Sequence, residues 1–254
     1  MESITAFFSQ AASLEFWALF VIVFAAFCIK SLTGFGNTLV VNGAFAFIKE
    51  NRFTTPVELI WNIPTNFWMV WKDRRHLDLR LVLPVCFSVI IGELVGARML
   101  QFGNDAVLRS MLGLILIALG TEMLFNQRTF KPNTLVAIGV GLPSGILLGL
   151  FGIGALIAAW FNKLSEGKES YRSNLCFIFL FENLFRAAVY GVSGLLTAET
   201  LGFSILLFPA VVLGMGAGRL IDHRLDAEAV RRLIIVLLIL TGVVILARYR
   251  FGLA

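Results

Sequence analysis

The chain has 254 residues; 58% are A, V, I, L, M, F, W, Y or C, only 15% are charged, and the net charge is +5. A soluble domain carries about 25% charged residues, and a chain of this size cannot hide so much apolar side chain from water. Composition therefore excludes a soluble enzyme and a disordered protein. It leaves an integral membrane protein whose segments, apolar all round, are helices and not the alternating strands of a barrel.

In chain order, the first apolar segment covers residues 16–29, flanked by Glu15 and Lys30. Residues 35–47 form a short second segment that opens at Gly34-Phe35-Gly36-Asn37. Residues 56–71 follow with Pro64 inside, then residues 81–100 with Pro84, Glu93 and Arg98, then residues 110–125. The sixth segment, 134–150, contains Pro143; the seventh, 151–161, is short and opens around Gly152 and Gly154. Residues 175–194 carry Glu182 and Arg186, residues 201–221 carry Pro209 and Arg219, and residues 233–247 come last. A crossing helix needs about 20 residues, so the two short segments do not cross alone and about eight crossings are expected. The polar stretches between them, 72–80 and 162–174 above all, read as charged loops. Lys and Arg are balanced between the two sides, so the positive-inside rule leaves the topology open.

Several chemistries are absent from the pattern. Cys28, Cys86 and Cys176 lie far apart inside apolar segments, which is neither a disulfide framework nor a metal motif. His76 and His223 fall in polar loops, and no His/Cys/Asp/Glu cluster has ligand spacing. No catalytic residue, metal or cofactor is expected, and the dispersed positive charge suits lipid headgroups rather than nucleic acid. The five tryptophans read as interfacial belt residues. The small-residue run Gly214-Met215-Gly216-Ala217-Gly218 fits a tight helix contact, within the protomer or across a homodimer.

Two halves are expected, residues 1–126 and 127–254. Thr33-Gly34-Phe35-Gly36 lines up with Phe151-Gly152-Ile153-Gly154 at an offset of 118 residues. Asn62 with Asn183, Gly96-Ala97-Arg98 with Ala217-Gly218-Arg219, and Asp105-Ala106 with Asp226-Ala227 line up at 121. The sense of the halves, inverted or parallel, depends on whether the short segments cross. Repeated halves with interrupted helices at matching positions point to a transporter site at the repeat interface.

The interruptions are where the chemistry is expected. A broken helix leaves backbone N–H and C=O groups unpaired, which hydrocarbon penalises, so the break must face protein, water or ligand. A half-helix N-terminus presents free N–H groups and a positive dipole end, which suits an anion, while small-residue packing is the plainer reading. Candidate binding residues are Gly34, Phe35, Gly36, Asn37, Gly152 and Gly154 at the breaks. Asn62 and Asn66 form a polar face on segment 56–71, and Asn183 and Arg186 sit near the centre of segment 175–194. Glu182 and Arg186, at i and i+4, form either a structural pair or an anion site with Glu182 as coupling group. Glu93 is a second coupling candidate, with Arg98 as an off-face partner.

These glycine breaks carry a resemblance. The chain resembles the TauE/SafE family of sulfite exporters across nearly its whole length: about eight spans, two related halves and a glycine-rich break after the first helix of each. Asn37 stands where the family usually has a further glycine, and Val40-Val41-Asn42 lacks the usual Val-Pro. The resemblance implies an all-α, multi-pass inner-membrane carrier of sulfite or organosulfonates, driven by an ion gradient. A non-transporting assembly or receptor subunit and an anion channel are the alternatives. A membrane-embedded enzyme finds no support, since no histidine lies in a span and no aspartate leaves the loops.

Overall fold

The computed structural model describes residues 14–45, 51–102, 105–125, 134–152, 154–164, 167–222, 224 and 226–250. These residues form ten α-helices: α1 (Leu14–Thr33), α2 (Asn37–Phe45), α3 (Asn51–Lys72), α4 (Leu79–Phe102), α5 (Asp105–Phe125), α6 (Thr134–Phe151), α7 (Ala155–Leu164), α8 (Lys168–Val192), α9 (Ala198–Asp222) and α10 (Ala227–Arg250). Among the described residues there is no strand. Four stretches, Leu14–Thr33, Leu79–Gly96, Lys168–Val192 and Ala198–Asp222, are long and apolar enough to cross a membrane. Shorter apolar runs lie in α5, α6, α7 and α10.

Polarity is arranged for a bilayer. Large apolar side chains such as Val21, Phe87, Ile91, Leu184, Ile205, Leu213 and Leu220 point outward, while Lys30, Glu58, Asn62, Arg172 and Glu182 are buried. In water this would expose far more apolar surface than a monomer tolerates; in lipid it is the favourable arrangement. The chain is a polytopic helical membrane protein.

Glycine pairs set the closest helix contacts. Gly214 and Gly218 of α9 lie against the Phe24 and Cys28 carbonyls of α1, and Gly92 and Gly96 of α4 lie against α6 at Leu142 and Ile146. Gly141 and Gly145 of α6 return the contact at Ser88 and Val89. In each case a Cβ would collide with backbone or a side chain, so two helices approach only where the side chain is absent. Gly113 of α5 meets Gly242 and Leu246 of α10, and Gly120 meets Ile235 and Ile239.

These registers fix direction. α1 runs parallel to α9 and α4 parallel to α6, whereas α5 and α10 are antiparallel. α3 and α8 are also antiparallel, with Met69 at Cys176 and Asp73 at Arg172. The contacts then fall into matched sets: α1 packs on α9 and α6 on α4; α3 on α9 and α8 on α4; α2 on α10 and α7 on α5. Each helix from α6 to α10 thus runs opposite to the helix five places earlier. α1 and α2 enter from one face and turn back at their glycine break; α6 and α7 do so from the other.

Three expectations are corrected. Residues 162–164 and 168–174 are helical and not a loop: α7 continues to Leu164 and α8 begins at Lys168. Arg172, Ser173 and Asn174 are buried inside α8, because Arg172 meets Asp222 and Asp73 there and Asn174 accepts the Asp78 N–H. Trp61 belongs to the core and not to an interfacial belt; its Nε1 donates to the Ser204 carbonyl and it packs edge-on against Phe27 and Phe45. Lys30 is no flank residue, being 1% exposed. The side chain of Arg98 and the backbone of Ile153 lie outside the described residues.

Candidate functional site

The two glycine breaks form the site. Gly34, Gly36 and Gly152 have φ of 80°, 94° and 67°, the left-handed region that only glycine enters without strain. α1 stops where the Gly34 N–H reaches the Lys30 carbonyl, and α6 stops where the Gly152 N–H reaches that of Leu148. α2 restarts with Val40 bonded to Gly36, and α7 with Ala158 bonded to Gly154. The first-turn N–H groups of both half-helices have no intrahelical acceptor. Both N-termini open on one buried cavity of about 40 Å³.

Each wall has its own helix. α1 supplies Lys30, and the first break supplies Phe35, Gly36, Asn37 and Thr38. α3 supplies Glu58, Asn62 and Asn66, spaced i, i+4, i+8 and so on one face. The second break supplies Gly152 and Gly154, and α8 supplies Glu182, Asn183 and Arg186. Of the sequence candidates, ten line the cavity. Gly34 does not: it faces Arg172 and Cys176, the latter donating to its carbonyl. Glu93 stands behind Arg186.

Polar groups divide into spent and available. Arg186 is charge-compensated: it pairs with Glu182, its Nε donates to Glu93 Oε1 at 3.1 Å, and its Nη2 donates to the Leu148 carbonyl at 3.3 Å, while its Nη1 lies beside Gly152. The pairing of Glu182 with Arg186 at i, i+4 is one the sequence proposes; Glu93 takes Arg186 as a partner. The Asn183 amide donates within its own helix to the Phe179 carbonyl. On the opposite wall, Lys30 Nζ donates to Asn62 Oδ1, and Asn37 Nδ2 donates both to that oxygen at 2.9 Å and to Glu58 Oε1 at 3.0 Å. Among the described residues no carboxylate lies within ion-pair distance of Lys30. Asn66, 1% exposed, has no hydrogen-bond partner among the described residues for either its Nδ2 or its Oδ1. Lys30 and Glu58 are the site residues that sequence reading misses. Their signals were present: a lysine one turn before a glycine break, and the 58/62/66 stripe.

One helical turn beyond, toward the face where α3 ends, a second group of charges closes the bundle. Arg172 Nη1 donates to Asp222 Oδ2 at 2.8 Å and to the Ser31 carbonyl at 3.3 Å. Lys168 Nζ donates to Asp222 Oδ1 at 3.0 Å. Asp73, in the turn after α3, lies 3.5 Å from Arg172 Nε. Burial raises the Asp73 carboxyl above its ordinary pKa, and the Arg172 and Lys72 charges act against that rise.

The fold and cavity thus define a helical membrane protein with a charged, amide-lined chamber at its centre. The sulfite exporter TauE/SafE family model matches residues 19–245, and the chain belongs to that family of membrane transporters. No curated protein and no solved structure matches it.

Proposed function

We propose that the chain is a secondary carrier that exports small sulfur oxyanions, with sulfite the best-fitting, from the cell across its membrane. The anion would sit in the central cavity, against Lys30 and Asn66 and between the N-termini of α2 and α7. The observation that carries this reading is a buried lysine with no ion pair, beside an asparagine whose side chain has no hydrogen bond, among the described residues. A charge at membrane depth costs at least ~2.5–3.5 kcal/mol, and an unmade buried hydrogen bond ~1–3 kcal/mol. A bound oxyanion offsets both. The chamber is roughly the space of three water molecules, which favours sulfite over a bulkier organosulfonate.

Opposed helix directions support reading residues 1–126 and 127–254 as an inverted duplication. In such a frame the two re-entrant pairs rock about a midplane site. The drive in this reading is a gradient, in keeping with a chain that shows no nucleotide-binding motif. Outward movement of one negative charge from an interior held negative gains roughly 2.3 kcal/mol per 100 mV. Glu58, Glu182 and Glu93 are the groups placed to carry a coupled proton. An assembly subunit has no ligand for the unpaired lysine and a channel needs no enclosed chamber, whereas a receptor that binds the anion without moving it differs from the carrier only in flux.

Radiolabelled sulfite flux in proteoliposomes, with and without a pH gradient, tests the reading. Saturable flux in the wild type that falls at least tenfold in Lys30→Gln, at unchanged folding by gel filtration, supports it. Flux that Lys30→Gln leaves intact removes Lys30 from the path, and no sulfite flux in the wild type removes the substrate.

A further inference from the structure

Next to the central chamber lies a second, smaller cavity of about 20 Å³. Ser31, Trp68, Lys72, Asp73, Arg172 and Arg219 line it, with Met69 and Met215. It is stacked on the first along two helices, since Ser31 follows Lys30 and Met69 lies one turn past Asn66. Met69, in the wall of the smaller cavity, and Cys176 are both buried, with sulfurs 3.7 Å apart. On its outer side Lys72, Trp68 and Arg219 are exposed, Arg219 stacked over the Trp68 ring at 5.9 Å.

Three cations and one carboxylate line this space. Asp222 is firmly held by Arg172 and Lys168 from behind. Asp73 is not firmly held: Arg172 Nε lies 3.5 Å from it and makes no hydrogen bond, although Arg172 is 2% exposed. A buried guanidinium edge with an unused donor, facing Lys72 and Arg219, is a site for an oxyanion, which accepts such bonds in pairs.

We propose that this cavity is a second anion station, between the central chamber and the face where α3 ends, at which a small oxyanion replaces Asp73 on the Nε edge of Arg172. Asp73 fills the space while the station is empty and swings out when it is occupied, so the same carboxylate closes the path behind each departing anion. Asp222 keeps Arg172 in place throughout. The station rests on the carrier reading for its direction of use, but it binds whether or not the protein transports.

Equilibrium binding of radiolabelled sulfite to the full chain in phosphatidylcholine nanodiscs tests it. The wild type is expected to hold two sulfite ions per chain. Lys72→Gln/Arg219→Gln, both at exposed positions, is expected to hold one, and Lys30→Gln is expected to lose the other. Asp73→Asn should tighten the outer site severalfold by removing its competitor. One ion in the wild type, lost only in Lys30→Gln, overturns the station and leaves the carrier reading standing. Two ions retained in Lys72→Gln/Arg219→Gln also overturn it. If Lys30→Gln keeps both ions, the central site fails; if no variant binds at all, both readings fall. The same experiment in discs containing phosphatidylglycerol separates the sources of the oxyanion: sulfite binding reduced to one there identifies a lipid headgroup phosphate as the natural occupant.

Discussion

Arg186 and Lys30 show how environment, not residue type, decides which cation is open to a ligand. Arg186 sits among two carboxylates and a carbonyl, so removing it leaves Glu182 and Glu93 facing each other in the protein interior. Breaking a buried ion pair from one side costs about 3–5 kcal/mol. Arg186→Gln is therefore expected to lower the melting temperature in detergent sharply, and Glu182→Gln in the same chain to recover much of the loss. If Arg186→Gln abolishes flux with an unchanged melting temperature, Arg186 is a ligand of the anion instead. Lys30 differs because, among the described residues, no carboxylate lies within ion-pair distance of it and its hydrogen bond goes to an amide oxygen.

At the scale of the helix, the glycines have two separable duties, and one has neither. Gly36 must hold a φ of 94° and also has Leu237 Cδ1 3.3 Å from where a Cβ would stand. The left-handed backbone alone costs an L-residue roughly 1–2 kcal/mol. Gly218 lies against the α1 backbone, where a Cβ would strike the Cys28 carbonyl. Gly202 sits in α9 with nothing near it, so its replacement by alanine gains helix propensity of up to about 1 kcal/mol. Thermal melts should therefore rank Gly202→Ala at or above wild type, Gly36→Ala below it and Gly218→Ala lowest. A flat series would mean that neither the break nor the α1–α9 contact bears on stability. The breaks and a tight contact at Gly214–Gly218 were legible because glycine spacing shows in one dimension, whereas α1 as the partner in that contact was not. So were the short half-helices and the polar face at Asn62 and Asn66. The burial of Lys30, Glu58 and the 168–174 turn was not. A charge next to a polar stretch looks solvated until its partner is known, and Arg172 finds Asp222 fifty positions away.

At the scale of the whole molecule, opposed helix directions make a topological claim that labelling can decide. α3 ends and α4 begins on one face, at Arg74–His76, and α9 ends there too, next to Arg224. α8 ends and α9 begins on the other face, around Ser193 and Leu195. In a background with Cys28, Cys86 and Cys176 replaced by serine or alanine, single cysteines at Arg75 and Arg224 should react with an impermeant maleimide from the same side of sealed vesicles. A cysteine at Ser193 should react only from the opposite side. The pattern follows from the parallel seating of α1 on α9 and of α4 on α6, because two re-entrant pairs that enter from opposite faces require α3 and α8 to cross in opposite senses. If Arg75 and Ser193 label from one side, α3 and α8 do not both cross. The chamber would then lie at a membrane surface, and an occluded midplane site for the anion would be lost.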